Sequence, residues 1–189
     1  MMASQSATLI FTNVGTSALA TGFADFSGND NSGLVWGVVV DTNDDGFNNS
    51  SWTPNFTYSA DVGGIVLGGG DVLFLHTALT SSRTGDGADT SSAVNSISTV
   101  TFTNGVAGGD KFAIVWFDRG IALGSQAAAG QHFGLLPVGL NPSPTFVVPT
   151  GQADQVDYSA AFAGTDPIRS ANLTFVPEPS SLLLGALGF

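Results

Sequence analysis

Leu34-Val35-Trp36-Gly37-Val38-Val39-Val40 runs straight into Asp41-Thr42-Asn43-Asp44-Asp45-Gly46. The first seven residues are nearly all apolar and rich in Val. The next six are turn formers. The apolar run is too short for an ordinary helix, and its β-branched content favours extended chain. The pair therefore predicts a strand buried on both faces that stops in a sharp loop. Phe112-Ala113-Ile114-Val115-Trp116-Phe117 has the same character and predicts a second central strand.

Working outward, further short apolar runs fall at 7–14, 18–26, 55–59, 64–67, 72–77, 96–103, 145–148, 157–162 and 171–176. Ser96-Ile97-Ser98-Thr99-Val100-Thr101-Phe102-Thr103 and Ala171-Asn172-Leu173-Thr174-Phe175-Val176 alternate with period two, as strands do with one face in water. Asn104-Gly105, Gly68-Gly69-Gly70-Asp71, Gly108-Gly109-Asp110 and Asp44-Asp45-Gly46 punctuate the runs as turns. Only 126–131, with Ala127-Ala128-Ala129, predicts a short helical turn. Residues 83–94 read as a polar surface loop, and 136–149, with four prolines, as an extended connection or edge. The expected fold is all-β: one antiparallel β-sandwich or jelly-roll-like domain over 1–176, with a short tail at 177–189.

Composition agrees. The chain has 189 residues, 43% of them hydrophobic, enough to bury a sizeable core. Charged residues make up 10%, against about 25% in an ordinary soluble domain. Lys and Arg total 4 and the only Glu is Glu178, so the usual material of surface helices is missing. A net charge of −11 repels phosphate backbones and anionic membrane surfaces and attracts divalent cations, which makes nucleic acid an unsuitable partner. With no cysteine, disulfides, thiol catalysis and Cys-based metal sites are excluded. Met1-Met2-Ala3-Ser4-Gln5-Ser6-Ala7 has neither a basic residue nor an apolar run, so it is no signal peptide. Its small residues look like the surroundings of a cleavage site, and the expectation is a chain that starts near a mature N-terminus.

At the other end, Val176-Pro177-Glu178-Pro179-Ser180-Ser181-Leu182-Leu183-Leu184 breaks the strand pattern and opens an apolar stretch reaching Phe189. That stretch is shorter than the ~20 apolar residues a bilayer requires. The segment resembles the PEP-CTERM sorting domain of Gram-negative-type bacteria. This domain consists of a Pro-Glu-Pro motif, a transmembrane helix and a short basic cluster. Pro177, Glu178 and Pro179 match the motif. About half of the helix is present and the basic cluster is absent, as in a truncated anchor. The resemblance implies Sec export, a transient inner-membrane tether, processing by an exosortase, and delivery to the cell surface or extracellular polymer matrix. It implies no activity for the body of the chain.

The best candidate for a metal site is Asp41-Thr42-Asn43-Asp44-Asp45-Gly46, which matches the front half of a D-x-[DN]-x-D-G calcium loop. Asp41, Asn43 and Asp45 would supply side-chain oxygens, Phe47 its carbonyl and Asn49 its side chain. Trp52 stands where an EF-hand has Glu, so further ligands would come from Asp61 or Asp71. The plainer alternative is an Asx-rich turn with Gly46 at positive φ. Trp52, in a polar stretch, is expected to be exposed and able to stack on a ligand, whereas Trp36 and Trp116 are expected in the core. His76, at a strand end, and His132 read as structural residues. Asp118-Arg119 reads as a loop ion pair and, secondarily, as the acid of a hydrolase.

Three functions follow as expectations. The first is an exported structural or interaction protein of the cell surface or exopolysaccharide matrix. The second is a calcium-assisted carbohydrate-binding module. The third is an Asp-based polysaccharide hydrolase.

Overall fold

The computed structural model describes residues 5–12, 23–29, 33–47, 49–59, 63–78, 94–136, 146–150, 156–157 and 169–176. These form strands β1 (Gln5–Thr12), β2 (Phe23–Ala24), β3 (Val35–Asp41), β4 (Ile65–Gly68), β5 (Asp71–Ala78), β6 (Val94–Phe102), β7 (Lys111–Phe117), β8 (His132–Leu136), β9 (Val156–Asp157), β10 (Arg169–Ser170) and β11 (Leu173–Thr174). The one helical element among the described residues is a 3-10 turn, Asn49–Ser51.

The body is a six-stranded antiparallel sheet in the order β11-β8-β7-β3-β5-β4. The two strongly apolar runs, β3 and β7, lie side by side in its middle, with Trp36 opposite Trp116 and Val38 opposite Ile114. A smaller sheet has the order β6-β1-β9, and β10 pairs with β2. The fold is all-β and sandwich-like, as the pattern of short runs predicts. Two pairings, β1 with β9 and β2 with β10, are parallel, so the antiparallel expectation holds for the large sheet and for β1 with β6.

Alternation along β3 and β7 divides the core in two. Trp36, Val38, Val40, Phe112, Ile114 and Trp116 face one side and pack with Val100 and Phe102 of β6, which closes the sandwich. Val35, Val39, Ala113, Val115 and Phe117 face the other side. There the cover is irregular chain carrying large rings: Trp52, Phe56 and Tyr58 from one segment, Ala127 from another, and Phe175 beyond β11. Both faces of the middle strands are therefore buried, one by a second sheet and the other by loops.

Several expectations are corrected. Residues 55–59 are loop with a single bridge, Thr57 to Gln126, although Phe56 and Tyr58 are buried in strand-like alternation. Residues 126–131 form no helix. The Gln126 bridge and an N–H donated by Ala127 to the Phe56 carbonyl hold 126–127 against that loop, and 128–131 close a turn in which Gln131 donates its N–H to the Ala128 carbonyl. β8 was not expected at all. Of 145–148, the described Phe146, Val147 and Val148 make one bridge, Val147 to Lys111, beside β7. Asn104-Gly105 forms the expected turn; because β6 pairs with β1 and β7 with β3, it carries the chain between sheets. The greater part of 18–26, 83–94, 136–149 and 157–162 lies outside the described residues, as does 177–189.

Candidate functional site

β3 delivers Asp41 to one end of the large sheet, where Asp71 and Lys111 are its register partners on either side. Asp41 is buried. Its Oδ1 accepts the N–H groups of Asn43 (3.2 Å) and Asp44 (2.8 Å), and its Oδ2 accepts that of Gly46 (2.9 Å). One carboxylate thus satisfies three loop donors. Gly46 has φ of 92°, as the turn reading expects, and Asp44 also adopts a left-handed conformation with φ of 58°. Asn43 donates from Nδ2 to Asp45 Oδ2 (3.0 Å) and to the Gly69 carbonyl (3.1 Å). The Phe47 carbonyl accepts the Asn49 N–H at 3.1 Å. The residues expected as calcium ligands are therefore brought to one loop, where they satisfy one another. Among the described residues, no three His, Asp or Glu side chains converge. Asp61 lies outside the described residues.

Lys111 Nζ pairs with Asp44 Oδ1 across the loop mouth. That hydrogen bond, with the charges of Asp44 and Asp41, raises the lysine above its ordinary pKa. Asp41→Ala is expected to remove the common acceptor of three N–H groups and cost about 2 kcal/mol in urea unfolding, because water reaches part of this loop and replaces some of the lost bonding. Asp41→Asn keeps one acceptor oxygen and should lose about half as much.

Trp52 is corrected. It is not an exposed stacking residue: its side chain has 0% exposure and its indole stacks on Phe133 at 5.3 Å between centroids. Nε1 donates to Asp71 Oδ2 at 2.5 Å, so a buried carboxylate is held by a buried indole. The polar residues around Trp52 occupy the 3-10 turn and its exit, which fold over the sheet and leave the ring underneath. The neighbouring Gly68-Gly69-Gly70 turn joins β4 to β5 with all three φ values positive, at 123°, 65° and 90°. Side chains there would strike Ser51 and Asn43, so the turn serves close loop packing.

At the opposite end of β7 lies a cluster that the sequence reading missed. Asp25 is 4% exposed and its Oδ2 accepts from Arg119 Nε at 2.9 Å. Asn29 donates its backbone N–H to Asp25 Oδ1 at 2.8 Å and its amide to both carboxylate oxygens. The Phe26 N–H donates to Asp118 Oδ1 at 2.8 Å. The Phe26 ring stacks on His132 with 3.9 Å between centroids and 20° between planes. The expected loop ion pair is corrected: Arg119 pairs with Asp25, and Asp118 accepts a backbone N–H. No local signal joins 25–29 to 118–120 in the sequence.

Burial pushes the Asp25 carboxyl up, but hydrogen bonds from Asn29 and Arg119 and the guanidinium charge outweigh it, so its pKa lies below the ordinary value. A lowered folded-state value means the contribution is complete above the unfolded pKa of about 3.9 and is lost as pH falls through the folded value. The melting-temperature advantage of the unaltered chain over Asp25→Asn is therefore expected to hold from pH 7 to about 4.5 and to shrink below it. Melting curves between pH 7 and 2.5 measure this.

His76 is half-buried on β5, edge-on to Trp36 at 5.4 Å. Tyr58 is buried, its hydroxyl donates to Gln131 Oε1 at 3.0 Å, and burial raises its pKa. Trp36 and Trp116 are core residues. Comparison with protein-family models, curated proteins and solved structures finds no match to the chain.

Proposed function

We propose that this chain is an exported protein of the cell surface or extracellular polymer matrix, sorted by an exosortase-type system and acting by interaction rather than turnover. The supporting observation is where the folded body hands over the tail. Phe175 is buried, donates its N–H to the Gln131 carbonyl and accepts from Gly130. Val176, the next residue, is 41% exposed, and Pro177-Glu178-Pro179 follows directly. The acidic, lysine-poor composition suits matrix residence and opposes nucleic-acid partners. In a bacterium with an exosortase, the protein should appear in the matrix fraction with its tail removed. Glu178→Ala should stay unprocessed in the inner-membrane fraction. Identical fractionation and mass for the two proteins would rule out the reading.

A calcium-assisted carbohydrate-binding module is the second reading, favoured in its calcium part by one observation. Asp41 and Asp71 are buried and directly opposed on adjacent strands, an arrangement of like charges that a cation would relieve. It requires millimolar calcium to raise the melting temperature of the unaltered chain and to leave Asp45→Ala unmoved. A melting temperature insensitive to calcium removes it.

A further inference from the structure

We propose that the Phe26 cluster binds a neutral polysaccharide chain, with the Phe26 ring as the stacking surface. This deepens the matrix reading above and rests on it for the choice of a polymeric ligand.

Phe26 is 53% exposed and is the one aromatic among the large exposed hydrophobic side chains of the described residues. It differs from a casually exposed ring in being fixed at both ends. The backbone is pinned by the bond from its N–H to Asp118, and one ring face lies on the His132 imidazole at 3.9 Å. The five-residue segment that carries it is held closed by Asp25, which Asn29 and Arg119 bond from two sides. A preorganised ring loses little entropy on binding.

The surroundings are polar and directional. Asp118 commits Oδ1 to the Phe26 N–H, and no second bond is made to Oδ2 among the described residues. The Arg119 side chain is 49% exposed and is oriented by Asp25, while Asn29 lies on the exposed rim of the same segment. His132 Nδ1 is buried without a hydrogen-bond partner. The His132 imidazole serves as the platform against which the Phe26 ring is held. An apolar ring held in one cluster with a carboxylate acceptor and a guanidinium matches a pyranose, which presents a C–H face bordered by hydroxyls. One ring is far too little apolar surface for a stable protein interface, which buries about 800 Å² on each partner. A net charge of −11 disfavours an anionic polymer, so the ligand is neutral.

The test is affinity electrophoresis of the purified 189-residue chain through gels containing dextran, laminarin, xylan or hydroxyethyl cellulose, with polygalacturonate as the anionic comparison. The unaltered chain should be retarded by at least one neutral polymer. Phe26→Ala should weaken that retardation about tenfold, and Phe26→Trp should keep it. Equal melting temperatures for the three proteins would show that the effect is local. Absence of retardation, equal retardation of Phe26→Ala, or retardation by polygalacturonate alone would overturn the proposal. So would a Phe26-dependent dimer in sedimentation without glycan binding, which would assign the ring to a second copy. None of these readouts involves export, so failure here leaves the sorting experiment to be judged separately.

Discussion

Trp52→Ala is expected to destabilise the protein by about 4 kcal/mol or more, the upper range for deleting a buried aromatic. Two losses combine. The indole leaves a cavity between the loop segment and Phe133, in the half of the core that has no second sheet to collapse into it. It also removes the N–H that serves the buried Asp71 carboxylate. Trp52→Phe separates the two, since it keeps much of the volume and loses only the donor. It should cost about 2 kcal/mol, the penalty for taking a hydrogen bond from a buried carboxylate. Asp71→Asn in the Trp52→Phe background should recover part of that loss, because an amide is cheaper to bury than a carboxylate. Guanidinium unfolding followed by Trp fluorescence, with circular dichroism as a second probe, measures all three. A solvent-facing tryptophan would give less than about 0.5 kcal/mol for the alanine change, so the experiment also separates the buried ring from the exposed one that its polar neighbours suggest.

Gly134→Ala is expected to cost about 3 kcal/mol through overpacking. Gly134 is the register partner of Trp116, and the indole lies across the glycine so closely that a Cβ would overlap Cε2 and Cζ2. The ring has little freedom to yield. It is 1% exposed, and its Nε1 donates to the Ala24 carbonyl at 3.0 Å, tying β2 to the large sheet. A methyl group would push the indole out of the core, break that tie, or separate β8 from β7. Trp116→Phe should be damaging alone yet partly rescue Gly134→Ala, since the smaller ring vacates the space. The double mutant would then be more stable than the sum of the single losses implies. Simple additivity would show that the close approach carries no energetic weight.

The central strands were legible because their signal is local. Val35, Trp36, Val38, Val39 and Val40 state burial on both faces without reference to the rest of the chain. The Asx turn after Asp41 was legible for the same reason, although the positive φ of Asp44 was not, since no glycine marks it. β8 escaped notice because Gly134 interrupts a short run, and that glycine is required by Trp116, eighteen positions earlier. Trp52 was misplaced because its burial depends on loops folding over a sheet, while its neighbours in sequence face water. The Asp25–Arg119 pair spans 94 positions and leaves no trace in either local pattern.

The exit of the chain at Phe175 has a mechanical consequence. A pull along the tail would be resisted first by the Phe175 ring, wedged against Phe133 at 4.7 Å, and by its two backbone bonds with 130–131. Next would come the β11 ladder, which is only two residues long. So short a pair has few bonds to share the strain and would peel away stepwise. The ladder between β3 and β7, six register pairs long, would remain intact. Under tension, the protein would lengthen at its tail by a few residues before its core began to open, so this edge would act as a mechanical fuse.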